Sequence, residues 1–439
     1  MPPSMTILAN GVRVGSEETN SPIATVTLAI EAGPRYETPE NNGITHFIGH
    51  LAFKGFKSWP RDALDKYLYE NGIKLTVNTS PELIAFTATC PADFSIYMVE
   101  LFYKIVVDLE LAEGDIEAEK KRMYWELKAA DECPKRLTFH YLHTSAYQGT
   151  SFGMPVMGTT KNIQSFDKQA LECYIQQQFQ PHRIAITAAG KVNHDQIVCA
   201  VDKTFGNIPT YPGDCSSLPG VPGYTGSEIR YRNDDMPFAH VALAVEAPGF
   251  NDETHEMLKA IGHAVGSWSK TQGGPIMEGR ANKMAGMARG VSHSSCCEFF
   301  ETFYHTYRDT GLFGIYFVAD KMKLEDMIYF IGDYWMHICT ALRESELEYA
   351  IAQYKTEKAR SLTRLHNITE NMAKQILYSC SVKDISDTIG KIEQLKVKDA
   401  KSVFSTYIYD KCPVVVGVGP TENLPEYNRI RSSMYWLRF

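Results

Sequence analysis

Long uncharged runs are missing from this sequence. The most apolar segment, FSIYMVELFYKIVVDL at 94–109, is interrupted by Glu100, Lys104 and Asp108, whereas a membrane-spanning helix needs about 20 nearly uncharged residues. Clustered cysteines are missing too. The ten are scattered singly apart from Cys296 and Cys297, with no CxxC pair, which excludes a c-type haem attachment and iron–sulfur spacing. That usage suits buried apolar thiols in a reducing compartment. There is no block of basic residues, and the net charge is 44 − 52 = −8, so a phosphate backbone finds no electrostatic footprint and nucleic acid is excluded as a partner. The glycine-rich stretch TQGGPIMEGRANKMAGMARG at 271–290 lacks both the P-loop ending and a GxGxxG spacing. It reads as a mobile loop, not a phosphate cradle. The opening MPPSMTILANGVRVG has neither an apolar signal core nor an arginine-rich leader, so any targeting segment is expected to precede this numbering.

What is present is a chain of 439 residues, 44% apolar and 22% charged, a composition that folds and a length that suggests two domains. The chain also repeats itself. PIATVTLAIEA at 22–32 returns as PFAHVALAVEA at 237–247, with seven of eleven positions identical, an offset of about half the chain. Apolar residues alternate with small or polar ones in both copies, the period-two pattern of a strand with one buried face. Each copy precedes a helix-like stretch containing Ile-Gly-His: HFIGH at 46–50 and KAIGH at 259–263. ELIAFTATC (82–90) and GLFGIYFVAD (311–320) read as strands followed by apolar-periodic helices. Acidic helices are expected around 113–131 and 344–360, and RIAITAAG (183–190) and VVVGVG (414–419) read as closing strands. The expected architecture is α+β, two similar domains, each a mixed sheet covered by helices: residues 1–208 and 231–439. Between them 209–230, rich in proline and glycine, is a linker.

The chemistry concentrates in NNGITHFIGHLAFKG at 41–55. In a helix His46 and His50, at i and i+4, share a face and can converge on one metal ion. In the inverted zincin order His-x-x-Glu-His the glutamate polarises a zinc-bound water; here that position is Gly49. A general base contributes on the order of 10²–10⁴ in rate, and glycine has no rotamer that could replace it. Glycine inside a helix also costs about 1 kcal/mol relative to alanine, so helix stability does not account for it. A third ligand is available in GDIEAEKKRMYWELKAA at 114–130, where Glu119 and Glu126 are seven residues apart and fall on one helical face. Against this stands the plainer reading of a solvated acidic helix and two histidines that only hydrogen-bond.

These residues resemble the pitrilysin-type (M16) zinc peptidases over essentially the whole chain. Within that family the resemblance is to the branch of the mitochondrial processing peptidase β subunit and the core subunits of ubiquinol-cytochrome c reductase, respiratory complex III. The family pattern NNG…HFxEHxxFKGT, followed downstream by E-x6-E, is matched by NNGITHFIGHLAFKGF, Glu119 and Glu126. The resemblance implies tandem α+β halves, zinc as the cofactor where one is bound, His46, His50 and Glu126 as the metal ligands, and Glu119 as a supporting carboxylate. Gly49 falls on the general-base position, leaving no catalytic residue there. Three stretches, HYLHTSAYQGT (140–150), YRDTGLFGIYFVADKM (307–322) and YIYDKCPVVVGVGPTENLPEYNRIRSSMYWLRF (407–439), look most like the core protein 1 branch. The expectation is a non-catalytic subunit, peripheral on the matrix side of the mitochondrial inner membrane, whose partners are a second core subunit and the membrane subunits of complex III. The alternative is a processing peptidase β subunit that cleaves presequence peptides. A bound metal without hydrolysis lies between the two.

Overall fold

The computed structural model describes residues 2–209, 219–272, 283–289 and 295–436. Two compact units emerge. The first comprises Met1–Ala129, Met154–Gly220 and Ala359–Asp384; the second comprises Ala130–Gly153, Val221–Lys358 and Ile385–Phe439. Each therefore takes a segment from the other half of the sequence.

The first unit is built on β1 (Ser4–Ile7), β2 (Arg13–Glu18), β3 (Ile23–Glu31), β4 (Lys74–Thr79), β5 (Leu83–Pro91) and β6 (Ile184–Gly190), in the order β1-β2-β6-β3-β5-β4. The second uses β7 (Glu228–Arg232), β8 (Ala239–Pro248), β9 (Ser267–Ser269), β10 (Phe299–Thr306), β11 (Thr310–Ala319) and β12 (Val414–Gly419), in the order β7-β12-β8-β11-β10-β9. β2 runs parallel to β6 and β7 parallel to β12, while the other pairs are antiparallel, so both sheets are mixed. The sequence repeat is also a repeat of register: Leu28 lies between Phe86 and Ile186, and Leu243 between Ile315 and Val415. Strands β1 and β2 precede the strand expected to open the first half.

The repeated strands are buried on both faces, not one. Val26, Leu28 and Ile30 of β3 join an apolar core shared with the helices Ile44–Leu51, Ser95–Val107 and His194–Phe205. The alternate positions Thr25 and Thr27 are buried as well, because the helix Leu365–Ser379 covers that face. There the hydroxyls pair with one another. Thr27 Oγ1 lies 3.0 Å from Thr87 Oγ1 and donates to Thr369 Oγ1 at 2.8 Å, and Thr187 Oγ1 donates to the Thr369 carbonyl at 3.0 Å. Polar alternation in the sequence thus marks a hydrogen-bonded helix–sheet seam, since a buried hydroxyl is tolerated when partnered. In the second unit the Pro134–Ala146 helix does the same job on β8 and β12, packing Leu142 and Ala146 against Ala242, Ala244, Val414 and Val416.

Within the stretch read as a glycine-rich loop, Lys283–Arg289 is helical, with Met284 and Ala288 in the second unit's core; 273–282 and 290 lie outside the described residues. Three apolar residues at helical spacing (284, 285 and 288) outweigh the glycines on either side of them. Of the 209–230 stretch, 210–218 also lie outside the described residues, and its end from Glu228 is strand β7. The buried-thiol expectation holds for Cys90, Cys296, Cys297 and Cys339, while Cys173, Cys199, Cys380 and Cys412 are exposed. Among the described residues no helix is long and apolar enough to cross a membrane.

Candidate metal centre

The helix Ile44–Leu51 begins at Gly43, which has no side chain to cap it. Glu37 caps it from the preceding turn. Its Oε2 accepts from the Gly43 N–H at 2.8 Å and from Asn42 Nδ2 at 3.0 Å, and its Oε1 accepts from the Thr45 N–H at 3.0 Å and hydroxyl at 2.6 Å. A carboxylate there also meets the positive end of the helix dipole. Burial nevertheless pushes the Glu37 carboxyl up, against those hydrogen bonds. Gly43 sits at φ 95°, and a Cβ on it would lie 2.6 Å from the Gly158 Cα. The Asn-Asn-Gly that precedes the histidines is therefore the machinery that aims their helix.

The helix Glu113–Asp131 turns Ile116, Glu119 and Met123 inward, and Glu126 continues that face. His46 Nε2 and His50 Nε2 are 3.3 Å apart, and Glu126 Oε2 lies 3.6 Å from the first and 3.0 Å from the second. A tetrahedral zinc with bonds of about 2.0–2.2 Å sets its ligands about 3.3–3.6 Å apart, so the three donors fit the ion in type and in spacing. Among the described residues this is the one group of three such side chains whose ligand atoms converge. Hydrogen bonds from His46 and His50 hold the Glu126 carboxyl far below the usual carboxylate range, against its partial burial.

The other ring nitrogens are held from behind. His46 Nδ1 is 3.4 Å from Thr79 Oγ1, on edge strand β4. His50 Nδ1 is 3.3 Å from Glu119 Oε2, a buried oxygen without a well-aligned hydrogen bond. Backing carboxylates of this kind orient ligating imidazoles. Lys54, which the sequence reading did not single out, places Nζ 2.5 Å from Glu119 Oε1. The sequence signal for it is that it is the lysine of the FKG element that follows His50 in the family pattern.

Gly49 faces the sheet. A Cβ on it would lie 3.1 Å from Val77 Cγ1, 3.4 Å from Ile84 Cδ1 and 3.7 Å from Thr79 Oγ1. The glycine thus has the packing reason that helix propensity did not supply: the helix rides close on β4 and β5. No carboxylate projects from position 49, and Glu119 and Glu126 are both engaged by the imidazoles and Lys54.

Two matched sheets with a His-x-x-x-His helix and an opposing glutamate define a peptidase-type architecture. The chain belongs to the family described as Insulinase (Peptidase family M16), whose domain matches residues 13–160, with a Peptidase M16 inactive domain at 165–354. It is 34% identical over 436 residues to the human Cytochrome b-c1 complex subunit 1, mitochondrial, covering 99% of this chain and 90% of that protein. It is 35% identical over 434 residues to the Bos taurus Mitochondrial-processing peptidase subunit beta, covering 99% and 87%. In fold it resembles a chain of complex III2 from Candida albicans with Inz-5 bound (TM-score 0.84, 23% identity, 99% of this chain and 100% of that one). A protease from Helicobacter pylori is as similar in fold (TM-score 0.83, 18% identity, 95% and 100%).

Proposed function

We propose that this chain is the non-catalytic core subunit 1 of mitochondrial ubiquinol-cytochrome c reductase, descended from a zinc processing peptidase. It would lie on the matrix side of the inner membrane and hold a second core subunit and the membrane subunits. The observation that carries this reading is Gly49: the position from which a base would act carries no side chain and packs close on Val77 and Ile84, and the two nearby carboxylates are committed to His46, His50 and Lys54. Likeness to the human b-c1 subunit along nearly the full length supports it.

A processing peptidase β subunit is the second reading, favoured by the convergence of His46, His50 and Glu126 and by equal likeness to the bovine peptidase subunit. Those three residues would hold zinc, which when bound supplies Lewis acidity toward a water or carbonyl. Glu119 and Lys54 would keep His50 in place. Without a residue to take up the proton, hydrolysis is expected to fall by the 10²–10⁴ that a general base contributes.

The deciding experiment is cleavage of a basic presequence peptide by the partner-assembled protein. The natural chain and a His50→Ala variant are expected to be equally inert, and Gly49→Glu, combined with Val77→Ala to make room, is expected to cut when zinc is supplied. Cleavage by the natural chain that disappears in His50→Ala would establish the peptidase reading instead.

A further inference from the structure

The Glu113–Asp131 helix has an outward face as distinctive as its inward one. Lys121, Tyr124, Trp125 and Lys128 fall at i, i+3, i+4 and i+7, one stripe of the helix surface. Tyr124 is 50% exposed and Trp125, immediately before Glu126, is 63% exposed. The rings meet edge to face at 5.7 Å, and Lys128 Nζ stands 5.4 Å from the Trp125 ring centre. Neither Lys121 nor Lys128 is in an ion pair among the described residues, unlike Lys120, which pairs with Glu117 at 2.7 Å. Beside the stripe, Ile163 and Gln164 of the helix Thr160–Ser165 close a groove of about 430 Å³.

We infer that this groove docks an extended acidic segment of a partner polypeptide, with an apolar side chain seated against Trp125 and a carboxylate on each of Lys121 and Lys128. Glu117 also lines the groove but is paired with Lys120, which leaves Lys121 in the lining and Lys128 at its rim beside Trp125 to meet an anionic partner, and tryptophan and tyrosine are the side chains that dominate docking surfaces. The spacing narrows the motif. Seven helical residues span about 10.5 Å, close to one three-residue turn of a polyproline II chain (about 9.3 Å), which brings side chains i and i+3 back to the same face where a β-strand would set them on opposite faces. The partner segment therefore carries Asp or Glu three residues apart, with an apolar residue between. A bilayer presents a flat face that cannot enter a groove between two helices. The docking surface is separate from the inward carboxylates, and it stands whether or not the metal centre cuts peptides.

The test places the photoreactive p-benzoylphenylalanine at position 125 in the assembled complex and identifies the cross-linked peptide by mass spectrometry. The expected product is a segment of another polypeptide with two carboxylates spaced as above. Its yield should fall at least tenfold in Lys121→Glu/Lys128→Glu and survive in Lys121→Arg/Lys128→Arg, with the thermal midpoint unchanged in both because these side chains are exposed. A lipid adduct, a product from a second copy of this chain, a peptide lacking the paired carboxylates, no product, or a yield indifferent to charge reversal would each overturn the inference.

Discussion

The helices Ile44–Leu51 and His255–Val265 both carry Ile-Gly-His and both lie on a mixed sheet, yet among the described residues only the first gathers metal donors. In the first, His46 and His50 meet Glu126. In the second, Lys259 stands where His46 would be, and His263 Nε2 faces Glu357 Oε2 at 3.4 Å. The histidine–glutamate pair has been kept and the third donor replaced by an ammonium. Burial holds His263 below its usual value; Glu357 pulls it up and Lys259 pushes it down. The glycines behave alike. A Cβ on Gly262 would lie 2.8 Å from Phe313 Cε2, so Gly262, like Gly49, lets its helix approach the sheet. Position 49 is thus packed in the manner of the half that gathers no donors, while the ligands beside it are of the metal-binding kind.

An exchange of the differing residues should give the largest effect. His46→Lys is expected to weaken zinc binding, measured by chelator competition, by more than the 10–100-fold typical of losing an outer-shell partner. Lys259→His should add a second, weaker zinc equivalent in a titration; unchanged stoichiometry would mean that His263 and Glu357 are not poised as donors.

A smaller effect should separate the two glycines. Gly262→Ala drives a methyl into the core ring of Phe313 and should cost about 1–3 kcal/mol in urea unfolding. Gly49→Ala meets the Val77 methyl on an edge strand at 3.1 Å, and the gain of about 1 kcal/mol in helix propensity should leave it near neutral. Equal losses would show that the two helices are equally tightly seated.

The smallest expected effect is on pH dependence. Burial pushes the Glu256 carboxyl up, but Lys358, His255 and Lys259 outweigh it and bring it from 4.5 to about 2; the Lys358 Nζ is 2.8 Å away. A carboxylate lowered by folding adds stability that is present above its unfolded value and lost as pH falls. Glu256→Gln should therefore flatten the acid limb of stability between about pH 4.5 and 2, and an unaltered limb would assign the slope to other groups.

Local pattern was enough to find much of this molecule. The strands at 82–90, 311–320, 183–190 and 414–419 and the acidic helices emerged because apolar period and helix-forming composition act over short distances. Lys54 and Glu37 could not be singled out, because nothing about a lysine or a turn glutamate reveals that it will reach a buried carboxylate or a helix N-terminus.

Sequence alone determined the twofold repeat, the alternation of strand and helix, and the ligand spacing of His46, His50, Glu119 and Glu126, since each is a periodicity of covalent geometry. Tertiary structure decided what those periodicities face. It laid the Leu365–Ser379 helix over the threonines of β3, which made polar alternation a second buried face. It also brought a helix some 70 residues downstream within 3.0 Å of His50 and set Gly49 against Val77. Such choices rest on which distant surfaces exclude water together, and chain-local propensity carries no information about that.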